Sequence, residues 1–153
     1  MRPRGGGGRP GRALVALLLC GAVLGGCAVE RGGERGGPPQ LAEALDFSGI
    51  VLPADAQVLG LDAEKGIDAR YRLAFAVDEA GADRLLADSR FGAPLVPVPS
   101  APQEVLPGVP VGQEVAAGGD ELARPGRPPV VREVMVDRSD PVRVVVHVWA
   151  YTT

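Results

Sequence analysis

The clearest pattern in the chain lies between residues 67 and 77. Ile67, Ala69, Tyr71, Leu73, Phe75 and Val77 alternate with Asp68, Arg70, Arg72, Ala74 and Ala76. Strict period two predicts a strand with the first set on a core face. Residues 56–61 (AQVLGL) read as a shorter strand, and Asp62 to Gly66 as the hairpin turn between them. Asp78 then stands where a helix N-cap belongs, with Glu79 favourable beside it. A helix over 79–89 puts Ala82, Leu85, Leu86 and Ser89 on one side and Asp83, Arg84 and Asp88 on the other. Near the C-terminus, residues 130–137 alternate with Val130, Val134 and Val136 on one side. Arg138 to Pro141 supplies a turn, and residues 142–152 form the richest β segment. There Val142, Val144, Val146 and Val148 face one way, and Arg143, Val145, His147, Trp149 and Tyr151 the other.

Between the two hairpins, residues 92–129 hold nine of the chain's fifteen prolines. Proline fixes φ and removes a donor, so neither helix nor central strand is expected there. Residues 94–111 suit an extended arm lying across the domain; a mobile insertion is the other reading. Residues 112–124 look weakly helical. The predicted order is β-β-α-loop-β-β, an α+β fold with a small, mainly antiparallel sheet, one helix packed on it and a long Pro-rich loop. The last strand is expected to lie at an edge that needs covering. With so small a core, the arm is expected to cover apolar sheet surface.

The N-terminal region is organised differently. Residues 1–12 are basic and Gly/Pro-rich, residues 13–24 (ALVALLLCGAVL) are apolar, and Gly25, Gly26 and Cys27 come next. This is the layout of a secretory signal peptide. The apolar run is too short to span a bilayer, which takes about 20 apolar residues. Residues 28–40 (AVERGGERGGPPQ) repeat Glu-Arg-Gly-Gly twice and read as a flexible linker. The expected organisation is a leader over 1–26, a lipidated Cys27 and linker over 27–45, and one domain over 46–153.

Leu24-Gly25-Gly26-Cys27 resembles the lipobox of bacterial lipoproteins. The resemblance implies a lipid on the Cys27 thiol and cleavage between Gly26 and Cys27. It also implies a diacylglyceryl group, and two acyl chains suffice for stable attachment where one is marginal. The expected location is the extracytoplasmic face of the cell membrane. Cleavage after Ala28, giving a secreted protein without lipid, is the alternative. Leu52-Pro53-Ala54-Asp55-Ala56, Gly66-Ile67-Asp68, Arg70-Tyr71-Arg72-Leu73 and the closing Val144-Val145-Val146-His147-Val148-Trp149 resemble small uncharacterised actinobacterial lipoproteins. That resemblance implies an extracytoplasmic single-domain protein and carries no known activity.

Charge and composition narrow the chemistry. The chain has 16 basic and 19 acidic residues. The leader holds Arg2, Arg4, Arg9 and Arg12 and no acid, so removing it leaves a net charge of −7. No nucleic-acid partner is expected of such a surface. Cys20 leaves with the leader and Cys27 becomes a thioether, so no disulfide or free thiol supports the domain. One His and two Cys exclude a Cys/His zinc site. Ser48, Ser89, Ser100 and Ser139 lack a G-x-S-x-G context, and His147 reads as a sheet-face residue. Asp137 and Asp140, and Asp62, Glu64 and Asp68, lack a calcium-loop pattern and read as solvated turn carboxylates. No enzyme activity, metal or cofactor is expected. Where the two strand faces coincide, the candidate binding face is Arg70, Arg72, Arg143, His147, Trp149 and Tyr151, side-chain types enriched at binding hot spots; a face covered by the helix or by the Pro-rich arm is the other reading. The functional expectation is therefore a non-catalytic binding or interaction module held at the cell surface, its protein or small-molecule partner unidentified. A small extracytoplasmic enzyme is the alternative.

Overall fold

The computed structural model describes residues 40–140 and 142–153. The leader, Cys27 and residues 28–39 of the linker lie outside the described residues. The elements are α1 (Leu41–Ser48), β1 (Gln57–Lys65), β2 (Ala69–Val77), α2 (Glu79–Asp88), β3 (Val96–Pro97), β4 (Val115–Leu122), β5 (Val130–Asp137) and β6 (Val144–Tyr151). One antiparallel sheet runs in the order β1-β2-β6-β5-β4-β3. The class is α+β, with six strands and two helices. The order α-β-β-α-β-β-β-β replaces the simpler β-β-α-loop-β-β arrangement.

β6 lies inside the sheet, between β2 and β5, not at its edge. Its two faces are both apolar, as a strand covered on both sides requires, and Val144 to Ala150 are all buried. The edges are β1 and the two-residue β3.

The helix-bearing face carries the main core. Tyr71, Leu73, Phe75 and Val77 of β2 join Val144, Val146 and Val148 of β6 and Val134 and Val136 of β5. The β2 alternation therefore runs as expected from Ala69 onward. Ala82 and Leu85 of α2 and Ala44 of α1 seal this layer. Asp78 caps α2 by accepting from the Gly81 amide at 2.5 Å.

Helix α1 revises the linker boundary: residues 41–45, expected in the linker, are helical. Eight residues are too few for a helix stable alone. Here Ala44 and Ser48 are buried, and Leu41, Leu45 and Phe47 pack on the core. Gly49, at φ +66°, ends the helix in the left-handed region that glycine adopts without strain.

Two apolar residues assigned to strand faces lie in turns instead. Ile67 belongs to the β1–β2 turn and Val142 to the β5–β6 turn, and both are exposed. Alternation shows which way residues point but not where pairing stops. β1 continues to Lys65 because Asp62 and Glu64 stand opposite Arg72 and Arg70. Opposite charges across a strand pair favour continued pairing.

The segment 112–124 holds strand β4, Val115–Leu122, not a weak helix. It lies in the proline-free gap between Pro110 and Pro125, long enough to pair with β5 along its whole length. β3 then adds to its other side. Gly118 permits the neighbouring chain to come close: a Cβ there would stand 2.6 Å from the Pro94 carbonyl oxygen. Strand structure thus occurs inside the Pro-rich segment, and its irregular part, residues 98–114, lies packed across the sheet face opposite the helices.

Candidate functional site

Strand register brings five of the six predicted binding-face residues together. Arg70 stands opposite Tyr151, Arg72 opposite Trp149, and Ala74 opposite His147. Arg143 precedes β6 and is exposed in the turn. The five do not form an open patch, because the arm lies over them. Trp149 and His147 each retain only 1% of their exposure. Val98, Ala101 and Val105 pack on Trp149 and Met135, while Leu106 and Val109 join Ala74 and Val145. The physical reason is the one that makes the arm extended. Its alternating apolar residues need a face, and the only sheet face free of helices is this one.

The polar atoms beneath the arm hold its backbone. Trp149 Nε1 donates to the Glu104 carbonyl at 2.8 Å. Arg70 donates to the Gln103 side chain. Arg72 pairs with Asp62 at 2.5 Å and more loosely with Glu104 at 3.4 Å. Tyr151 is turned aside, its hydroxyl donating to Glu133 at 2.8 Å. Asp137, read from the sequence as a solvated turn carboxylate, is buried. It accepts from Ser139 Oγ at 2.6 Å and from the Gly112 amide at 2.5 Å. Desolvation pushes its pKa up, but those hydrogen bonds and the nearby His147 outweigh it, and the net shift is downward.

His147 is buried beside Trp149, ring centroids 6.0 Å apart and nearly parallel. Burial lowers its pKa, against the opposing pull of Asp137 and the Pro110 carbonyl. The imidazole is therefore neutral at neutral pH, and its Nε2 has no partner among the described residues. Ser139 Oγ gives its hydrogen to Asp137 and accepts from the Glu114 amide. No serine–histidine hydrogen bond occurs among the described residues, so the cluster lacks the connectivity of an acyl-transfer triad. No group of three His, Cys, Asp or Glu side chains among the described residues is placed to hold a metal ion.

A concavity lies at the end of the arm. A cleft of about 270 Å³ opens between Leu59, Val111 and Val145, with Asp137, Asp140 and Arg143 at its polar side. Arg143 makes no ion pair among the described residues. The cleft joins an apolar wall to the Arg143 guanidinium and the carboxylates of Asp137 and Asp140. Of its residues, only Arg143 was singled out by the sequence.

A second feature escaped the sequence reading. Arg132, 1% exposed, points to the helix-bearing face. It pairs with Asp120 at 2.6 Å and donates to the carbonyls of Ser48, Ser89 and Arg90, at the C-terminal ends of α1 and α2. Helix ends leave such carbonyls unsatisfied. The signal was present: Arg132 falls in phase with Val130, Val134 and Val136, the core side of β5.

No family model, no curated protein and no solved structure matches this chain.

Proposed function

We propose that the chain is a lipid-anchored extracytoplasmic protein, attached to the cell membrane through Cys27, whose domain is a non-catalytic binding or interaction module. The observation that carries this reading is the placement of Leu24-Gly25-Gly26-Cys27 straight after a basic and then apolar leader. The Gly-rich, charge-balanced run over 28–40 supports it, as does the lack of any cysteine over 28–153. No helix among the described residues is long and apolar enough to cross a membrane. On this reading two acyl chains supply the attachment. The open binding feature is the cleft at Arg143 rather than the covered face around Trp149.

Intact mass of the membrane-extracted chain tests the anchor. The expected species starts at Cys27 and carries the added mass of a diacylglyceryl group. A Cys27→Ala chain should lose the added mass and leave the membrane fraction. An unmodified chain starting at Val29 would replace this reading with plain secretion.

A further inference from the structure

The walls of the cleft at the end of the arm are held by the fold itself. Asp137 Oδ1 accepts from the Ser139 amide and hydroxyl, and Oδ2 from the Gly112 amide at 2.5 Å. Gly112 is pressed so closely on this turn that a Cβ there would collide with Ser139 Oγ. The Arg138 amide donates to the Glu114 carbonyl at 2.9 Å, and the Val142 amide to Asp140 Oδ1 at 2.9 Å. The apolar side is fixed too. A bulge in β1 between Val58 and Gly60 drops Leu59 from the register with β2. Leu59 instead packs with Ala74, Leu106, Val109 and Val145 and lines the cleft. Bulges re-aim side chains in this way.

Two opposite charges are left over from this scaffold. Both oxygens of Asp137 are taken by the turn and the arm. Asp140 has one oxygen on the Val142 amide, and neither Asp140 nor Arg143 enters an ion pair among the described residues, with each other or with a third group. Both are exposed and both line the same hollow. A lone anion there meets Asp137 and Asp140 as well as Arg143, and a lone cation meets Arg143, so each gains attraction and repulsion together. A molecule carrying both charges finds an opposite partner for each. The volume, about 270 Å³, falls just under the roughly 300–1,000 Å³ of pockets for drug-sized ligands. One small molecule fits it, and a length of peptide does not.

We propose that the cleft binds a free α-amino acid with an aliphatic side chain, its carboxylate on Arg143, its ammonium group on Asp140 and its side chain against Leu59, Val111 and Val145. This rests on the reading of the domain as a binding module and names the ligand class of its open cleft. An α-amino acid carries its two charges on neighbouring atoms, with the side chain branching between them. The three apolar residues supply an aliphatic wall with no aromatic ring and no polar group. A guanidinium can hold a carboxylate through two parallel hydrogen bonds. Because Asp140 and Arg143 are exposed, each contact alone is weak, and binding needs both at once.

The test is a ligand-observed NMR titration of the full chain, extracted in detergent, with leucine, isocaproate and isopentylamine. Isocaproate is leucine without the ammonium group, and isopentylamine is leucine without the carboxylate. Leucine should bind, and each analogue should bind about fivefold more weakly, the upper end for an exposed ion pair. Arg143→Gln should erase the advantage of leucine over isopentylamine. Asp140→Asn, which keeps an acceptor for the Val142 amide, should erase its advantage over isocaproate. Both forms should keep the urea midpoint of the unsubstituted chain, which separates lost binding from lost folding. Isocaproate binding as tightly as leucine overturns the amino-acid assignment and leaves the binding module standing, with a simple anion as its ligand. Leucine binding that neither substitution weakens lies outside the cleft and also overturns it. Binding of none of the three overturns both the assignment and the cleft's part in the module. The anchor is read separately, by the mass measurement.

Discussion

The two faces of the sheet are covered by different kinds of chain, and their compositions differ accordingly. On one face lie helices, which satisfy their own backbone and present only side chains to the sheet. The strands opposite them are almost wholly apolar, with Phe75, Val134 and Val146 in one continuous layer with Leu85 of α2. Charge enters through the Arg132–Asp120 pair, placed where the helices end and carbonyls become free. On the other face lies an extended, proline-rich arm with no ladder of its own. Its backbone groups must find partners elsewhere, since buried polar groups left unpaired are costly. Trp149 Nε1, Asp137 and Ser139 Oγ supply them. The Trp, His and Arg side chains that read from the sequence as a binding face are thus largely the seat of the protein's own arm.

This difference between the faces predicts unequal responses to truncation. Phe75→Ala opens the continuous layer under the helices and should cost about 3–5 kcal/mol, seen as a lower midpoint in urea denaturation. Leu106→Ala removes an arm residue from a smaller cluster that can settle around the gap. Its cost should fall at the low end for a buried leucine, about 2 kcal/mol. Equal losses would mean that the arm and the helices belong to one cooperative core.

A Trp149→Phe change sharpens the point. It keeps an aromatic ring but removes the donor to Glu104 and part of the buried indole, and should cost about 1–2 kcal/mol. More diagnostic is limited proteolysis, which should cut faster within 98–112 while leaving the helices intact. Uniform acceleration across the chain would show that this hydrogen bond does not act on the arm separately.

The smallest effect is that of pH. Burial holds the folded-state pKa of His147 below its ordinary value of 6.5, so the unfolded chain binds the proton more tightly. Stability should be level above 6.5 and decline as pH falls below it, until the folded-state value is reached. His147→Gln should remove that slope. Asp137, whose folded pKa is lowered from 3.8, contributes stability present above that value and lost as pH falls through its folded pKa. Its decline therefore survives the His147 substitution, which separates the two groups.

Much of this arrangement was readable in advance. The alternation from Ala69 to Val77, the Asp78 cap and the pairing of β5 with β6 are local: each is set by residues within a few positions. Helix α1 was hidden because its stability comes from the core beneath it. β4 was hidden because Gly118 and Gly119 weaken any strand signal, and its case rests on β5 beside it. The candidate site was half legible. Period two put Arg70 and Arg72 on one side of β2 and His147, Trp149 and Tyr151 on one side of β6, but only the register makes those sides one face, and it could not decide whether the arm would lie over them. Nor could it find the cleft at Arg143, whose walls come from β1, the arm and the β5–β6 turn.

Side-chain direction and helix capping are written in short stretches of residues, and the linear chain therefore determines them. Which strand becomes central, which face stays open and which buried polar atoms find partners depend on segments far apart in sequence competing for the same apolar surface. Only the tertiary structure decided those, because a surface can be covered once, and alternation along one strand carries no information about what comes to lie above it.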